Sequence, residues 1–354
     1  MTAQFELGSK HIECKKQAQL AISEIKTNNP KEIVKELYNK SYGFIPQNSK
    51  TYNDYLGLVV TLEEFAKIRP EAASIIIDQI LVQELLLKYG INSSKNSFNS
   101  QNIYAVLCAE PGNALISSLL TKATKTSPGW KLEGKKLITK EQINADKYII
   151  FAKDEQAKTR VFLVSKDDIK ISGISKNIAG SNIVLNQIEL NIKLSEECNI
   201  AIIEDNYENN TSIARTLIAS VALGVAHSAL VAGINAAKET KGPENQTISN
   251  TQSMQFTLAD MFAELEASRM LTYYSANLID NNKSNIKYAT IAKVQATDSA
   301  TGISVQALQL LGNLGYLANN DFAGFMQSAI SGQVKGGTNR VQRNFIYQYM
   351  LAKK

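Results

Sequence analysis

Two stretches decide the fold: SIARTLIASVALGVAHSALVAGINAAKE, Ser212 to Glu239, and QSMQFTLADMFAELEASRMLTYYSANLID, Gln252 to Asp280. The first is apolar nearly all round and rich in Ala and Gly, the composition of a helix buried on most sides and packed close to other helices. In the second, Met254, Leu258, Met261, Leu265 and Leu271 mark one face of a helix. A third helix is predicted over about 286–311 and a fourth over about 339–352. Four long helices in succession predict a bundle, with apolar surface to spare for oligomerisation.

Working toward the N-terminus, VVTLEEFAKI (Val59 to Ile68) and ASIIIDQILVQELLLKYG (Ala73 to Gly90) carry helical periodicity, the second ending on a glycine stop signal. The polar run INSSKNSFNSQN, 91–102, reads as a loop. The period then changes. YAVLCAE, GWKLEGKKLIT, KYIIFAKD, TRVFLVSKDDIKISG and NIVLNQIELNIK are short, β-branched and partly alternating, which predicts an antiparallel sheet or small barrel of about five or more strands. The expected architecture is α+β: an N-terminal helical domain over 1–102, a middle antiparallel β domain over 103–203 and a C-terminal four-helix bundle over 204–354.

Composition narrows the function. With 354 residues, 44% apolar and 20% charged, the chain can bury a sizeable core. No window holds the roughly 18 unbroken apolar residues of a membrane span, so membrane insertion is not expected. The start, MTAQFELGSKHIECKK, shows no secretory signal. Cys14, Cys108 and Cys198 are scattered and odd in number, and His11 and His227 stand far apart, so neither a disulfide framework nor a metal site is predicted. A reducing cytoplasm is the expected compartment. The net charge of +5 comes from dispersed lysines rather than a basic stripe, which argues against nucleic acid as partner.

Several local strings, in order, resemble the acyl-CoA dehydrogenase family. LADMFAELEASRMLTYYSANLID is similar to the family's LADM…LEAAR helix, LQLLGNLGY (Leu308 to Tyr316) to its Q-x-x-GG-x-GY turn, and KGGTNRVQR (Lys335 to Arg343) to its EGT…IQR segment. AGSN (Ala179 to Asn182), CAEPG (Cys108 to Gly112) and LEGKKLIT (Leu132 to Thr139) are similar to its R-G-S-D turn, TEP turn and NG-x-K-x-WIT stretch. The resemblance implies a dimeric or tetrameric flavoprotein that oxidises an acyl thioester, on coenzyme A or a carrier protein, at its CH–CH bond. A carboxylate takes the α-proton and FAD accepts the β-hydride.

The same resemblance exposes a gap. The family's glutamate before G-T falls on Gly336, and the alternative position for the base, ahead of an arginine on the first bundle helix, falls on Ala214. Neither side chain takes a proton. Glu204, Asp205 and Glu208 read as a solvated loop, Lys335 as a surface cation, and His227 as a packed helix histidine. Thr240 falls where an arginine would reach the flavin pyrophosphate, which removes a charge-assisted contact. Thr139, Gln252, Gly312, Gly315, Thr338 and Gln342 match cofactor-binding positions, and Arg215 matches an arginine near bound coenzyme A; Trp130 matches a strand-domain position. Each has a plainer reading as a turn, cap, core or ion-pair residue. Three readings follow: a dehydrogenase-like enzyme that is impaired or depends on a partner subunit, a non-catalytic subunit beside an active paralogue, and a flavin-dependent monooxygenase-type relative.

Overall fold

The computed structural model describes residues 7–40, 54–89, 98–99, 101–113, 116–169, 171–174, 185–203, 208–242, 245–316 and 321–352. In chain order the elements are α1 (Ser9–Ser23), α2 (Pro30–Asn39), α3 (Tyr55–Ile68), α4 (Pro70–Tyr89), β1 (Tyr104–Leu107), β2 (Lys122–Thr126), β3 (Gly129–Thr139), α5 (Lys140–Ile143), β4 (Lys147–Asp154), β5 (Thr159–Ser165), β6 (Ile171–Ile174), β7 (Leu185–Leu194) and β8 (Asn199–Ile203). Then come α6 (Glu208–Glu239), α7 (Gln252–Asp280), α8 (Ile286–Leu310), α9 (Asp321–Val334) and α10 (Asn339–Leu351). The expected helix–strand–helix order is present. Packing divides the chain into two compact units, one of Met1–Glu24, Asp54–Ala73 and Thr211–Lys354, the other of Ile25–Asn53 and Ser74–Asn210.

The helical unit is built on α6. By length and composition this helix could cross a membrane, yet two-thirds of its apolar window is buried within the protein. Small residues let its neighbours approach closely. A Cβ on Gly224 would lie 2.4 Å from the Glu63 carbonyl oxygen and 2.6 Å from the Ala66 Cβ, both on α3. Facing residues of α8 are also small: Ala289, Ala292, Ala296, Ala300 and Ala307 are fully buried. Hydroxyls fasten the seams, with Thr216 and Ser275 Oγ atoms 2.8 Å apart and Ser212 Oγ donating to Asn285 Oδ1 at 2.7 Å. Buried Glu63 accepts from Arg269 Nε and Nη2 at 3.0 and 2.8 Å and from the Tyr273 hydroxyl at 2.8 Å. Asp280, the last residue of α7, caps α3: its carboxylate accepts from Tyr55 N at 2.6 Å and Leu56 N at 2.9 Å. Those amides have no partner inside their own helix, so the cap comes from a residue 225 positions away.

In the second unit the described strands form one eight-stranded sheet, ordered β6-β7-β3-β2-β4-β5-β8 with β1 also on β4. Most pairs are antiparallel, as expected, but β1–β4 and β2–β4 run parallel, so the sheet is mixed. β4 is buried along Tyr148–Ala152 without alternation, the mark of a strand covered on both faces. Trp130 fills core space, edge-on to Phe162 at 5.8 Å. The Glu110 carboxylate is buried under the β2–β3 hairpin. It accepts from Lys136 Nζ at 2.7 Å and from the Thr121 hydroxyl and amide at 2.5 and 3.0 Å.

Candidate functional site

The turn between α9 and α10 carries position 336. It reverses the chain through two left-handed residues, Gly336 at φ +67° and Gly337 at φ +89°, a backbone that favours glycine. Thr338 ends the turn as N-cap of α10, its hydroxyl accepting from Val341 N at 3.4 Å. Gln342, one turn into α10, is buried and donates back to the Gly336 carbonyl at 3.1 Å. A Cβ built on Gly336 would stand 2.5 Å from Ile218 Cδ1 of α6, one helical turn beyond Ala214. The position on the turn expected to lack a base therefore faces an apolar side chain, and the other such position, Ala214, lies one turn earlier on the same helix.

Beneath the turn lies a residue that sequence reasoning missed. Lys293 of α8 is fully buried and donates to the carbonyls of Gln333 and Gly337 at 3.0 and 2.8 Å and to Asn339 Oδ1 at 2.7 Å. Burial pulls this ammonium down to about 7; Asp298 opposes the shift, while Arg215 and Arg343 reinforce it. Asp298 is the carboxylate of this cluster, and it is engaged: Gln333 Nε2 donates to it at 2.8 Å and Asn339 Nδ2 at 2.7 Å, and Arg343 pairs with it. Its oxygens are thus taken up by donors of the turn itself. A signal for Lys293 does exist in the sequence. It falls in phase with Ala289, Ala292, Ala296 and Ala300 on the buried stripe of α8, where a lysine needs a partner.

Arg215 is also buried in this unit. It donates to Thr290 Oγ1 at 3.2 Å and lies over the Phe345 ring at 5.4 Å. His227 is half-buried on α6, where it lines a groove of about 440 Å³ with Glu64 and Lys67. Burial, with Lys67 and Arg269 close by, lowers its pKa. Glu208 opens α6. Ala179 to Asn182, Glu204 and Asp205 lie outside the described residues.

The residues matched to FAD contacts divide by what they already do. Gln252 is exposed at the first position of α7, and a Cβ built on Gly312, at φ +57°, would meet nothing within 4 Å. Thr139, half-buried at the end of β3, precedes α5, and its amide donates to Gln142 Oε1 at 3.2 Å. Gly315 packs against its own chain, where a Cβ would meet the Leu308 carbonyl oxygen at 2.6 Å. Thr338 and Gln342 are employed in the turn. The fit to FAD is partial: Gln252 and Gly312 carry no contact of their own among the described residues, while Thr139, Gly315, Thr338 and Gln342 already serve the local fold.

Comparison with known proteins accounts for this frame. A family profile described as acyl-CoA dehydrogenase, C-terminal domain, matches residues 207–351. The human mitochondrial short-chain specific acyl-CoA dehydrogenase is 28% identical over 322 residues, covering 84% of this chain and 76% of that protein. The caffeyl-CoA reductase–Etf complex subunit CarC of Acetobacterium woodii is 27% identical over 350 residues, covering 92% and 90%. Among solved structures, butyryl-CoA dehydrogenase from Megasphaera elsdenii has a TM-score of 0.83 at 23% identity, covering 98% and 100%. A glutaryl-CoA dehydrogenase from Mycobacterium smegmatis, in complex with FADH2, has a TM-score of 0.87 at 20% identity, covering 98% and 96%. The two structures share the fold. Over residues 207–351 the chain matches the C-terminal domain of the acyl-CoA dehydrogenases, and that profile, the curated relatives and the fold together support membership of the acyl-CoA dehydrogenase family.

Proposed function

We propose that the protein is an acyl-CoA dehydrogenase-type flavoprotein that takes an acyl thioester, on coenzyme A or a carrier protein, but supplies no base of its own for oxidation at the CH–CH bond. Turnover is therefore impaired or dependent on a partner subunit. The observation that carries this reading is that the apolar Ile218 Cδ1 stands where a side chain on Gly336 would begin, with Asp298 beside the turn already bound to three donors. FAD, when bound, supplies the acceptor for the β-hydride. Thr139, Gln252 and Gly312 are the residues proposed to face it, with Gly315, Thr338 and Gln342 shaping its surroundings, and Arg215 is proposed to lie beside the bound thioester. A missing general base costs about 10²–10⁴ in rate.

The test is anaerobic reduction of the FAD-loaded protein by a short acyl-CoA, followed as bleaching of the flavin band. The wild-type protein is expected to bleach at least about 100-fold more slowly than the Gly336→Glu/Ile218→Val double variant, in which a carboxylate is added and room is made for it. Fast bleaching of the wild type overturns the reading. So does equal, slow bleaching of both proteins.

A further inference from the structure

A fully buried cation beneath a glycine turn needs a physical reason. An ammonium has three N–H donors and no acceptor, and Lys293 uses all three, on Gln333 O, Gly337 O and Asn339 Oδ1. These acceptors span the whole turn from the end of α9 to the start of α10. A neutral amine has two donors and a lone pair. Loss of the proton therefore sets that lone pair against one of the three oxygens, and one contact changes from attraction to repulsion. The charge is also thinly balanced. Asp298, on the same helix, reaches it through Asn339, whose amide accepts from Lys293 and donates to the carboxylate. Arg215 from α6 and Arg343 from α10 repel it.

We propose that Lys293 is a proton-sensitive latch: gain or loss of its proton moves the turn between two settings, and residue 336 moves with it. The latch belongs to the turn itself and holds whether or not the protein performs oxidation. The sign follows from burial. Below neutrality both folded and unfolded chains carry the charge, and the turn keeps three bonds. As pH rises from about 7 toward the ordinary 10.5, the folded chain gives up its proton first. The cost of burying the charge is relieved, so the protein as a whole becomes more stable while the turn loses a bond.

The experiment is NMR of protein labelled at glycine carbonyl carbons, titrated between about pH 6 and about pH 10. The Gly337 carbonyl is expected to show a titration step that is absent from Gly302, at an open position on α8. The Lys293→Met variant loses the step. Arg343→Gln, at an exposed position, removes a repelling cation and frees Asp298, so it moves the midpoint up by at least about half a unit. A flat Gly337 signal in the wild type overturns the proposal, as does a step that survives in Lys293→Met. Should Lys293→Met fail to fold, Arg343→Gln decides alone: an unmoved midpoint rejects the latch.

Discussion

Glu110 and Lys136 illustrate how a single residue is made dependable in the dark of a core. Their side chains are 1% and 0% exposed at 2.7 Å separation. Burial alone would push the Glu110 carboxyl up, but donors from Lys136, Thr121 and Leu120 hold it down to about 2, against an ordinary 4.5. A depressed acid stabilises the fold above its unfolded value and loses that contribution as pH falls. Here that contribution is present above pH 4.5 and disappears progressively as pH falls toward 2. Lys136→Met should then cost about 3–5 kcal/mol near neutrality, because it leaves a buried charge without its partner. Adding Glu110→Gln should recover most of the loss. Urea midpoints near neutrality and at about pH 3 measure both effects, and the single-variant penalty should shrink in acid.

At the scale of elements, the close approach of α6 to α3 rests on one missing methyl. Gly224→Ala would drive a Cβ into the Glu63 carbonyl and Ala66, backbone and short side chain that have little room to retreat. We expect a loss of about 1–3 kcal/mol by thermal or urea unfolding. Gly302→Ala on α8 meets nothing within 4 Å and should stabilise by about 0.5–1 kcal/mol. Such contrasts explain what was legible beforehand. Helical runs such as Ser212–Glu239 announce themselves by period and composition, because those properties are local. The strands were readable singly, but the parallel β1–β4 and β2–β4 pairs were not, since partner choice depends on residues far apart in the chain. α9 was hidden in the interval between two recognisable motifs. Lys293 was passed over because a lone lysine among Ala, Thr and Ser reads like any solvated one. The vacancy at 336 was legible by alignment alone; its apolar lining by Ile218 required coordinates.

For the whole molecule, exposed apolar surface is concentrated on helices of the bundle. Phe256, Phe262 and Met270 of α7 are 61%, 55% and 55% exposed, with exposed Ala259, Ala263 and Ala267 between them. We expect the protein to self-associate through this face, and Ala263→Asp, midway between Phe256 and Met270, to shift it toward monomer in light scattering coupled to gel filtration, since a charge at the centre of an interface costs about 2 kcal/mol or more. A second long-range feature shapes how the molecule comes into being. The first amides of α3 are satisfied by Asp280, a residue synthesised 225 positions later. Translation at about 5–20 residues per second leaves that helix unfinished for many seconds, its apolar face already formed and its partner still unmade. The chain therefore carries a built-in waiting period, during which a chaperone has something to hold.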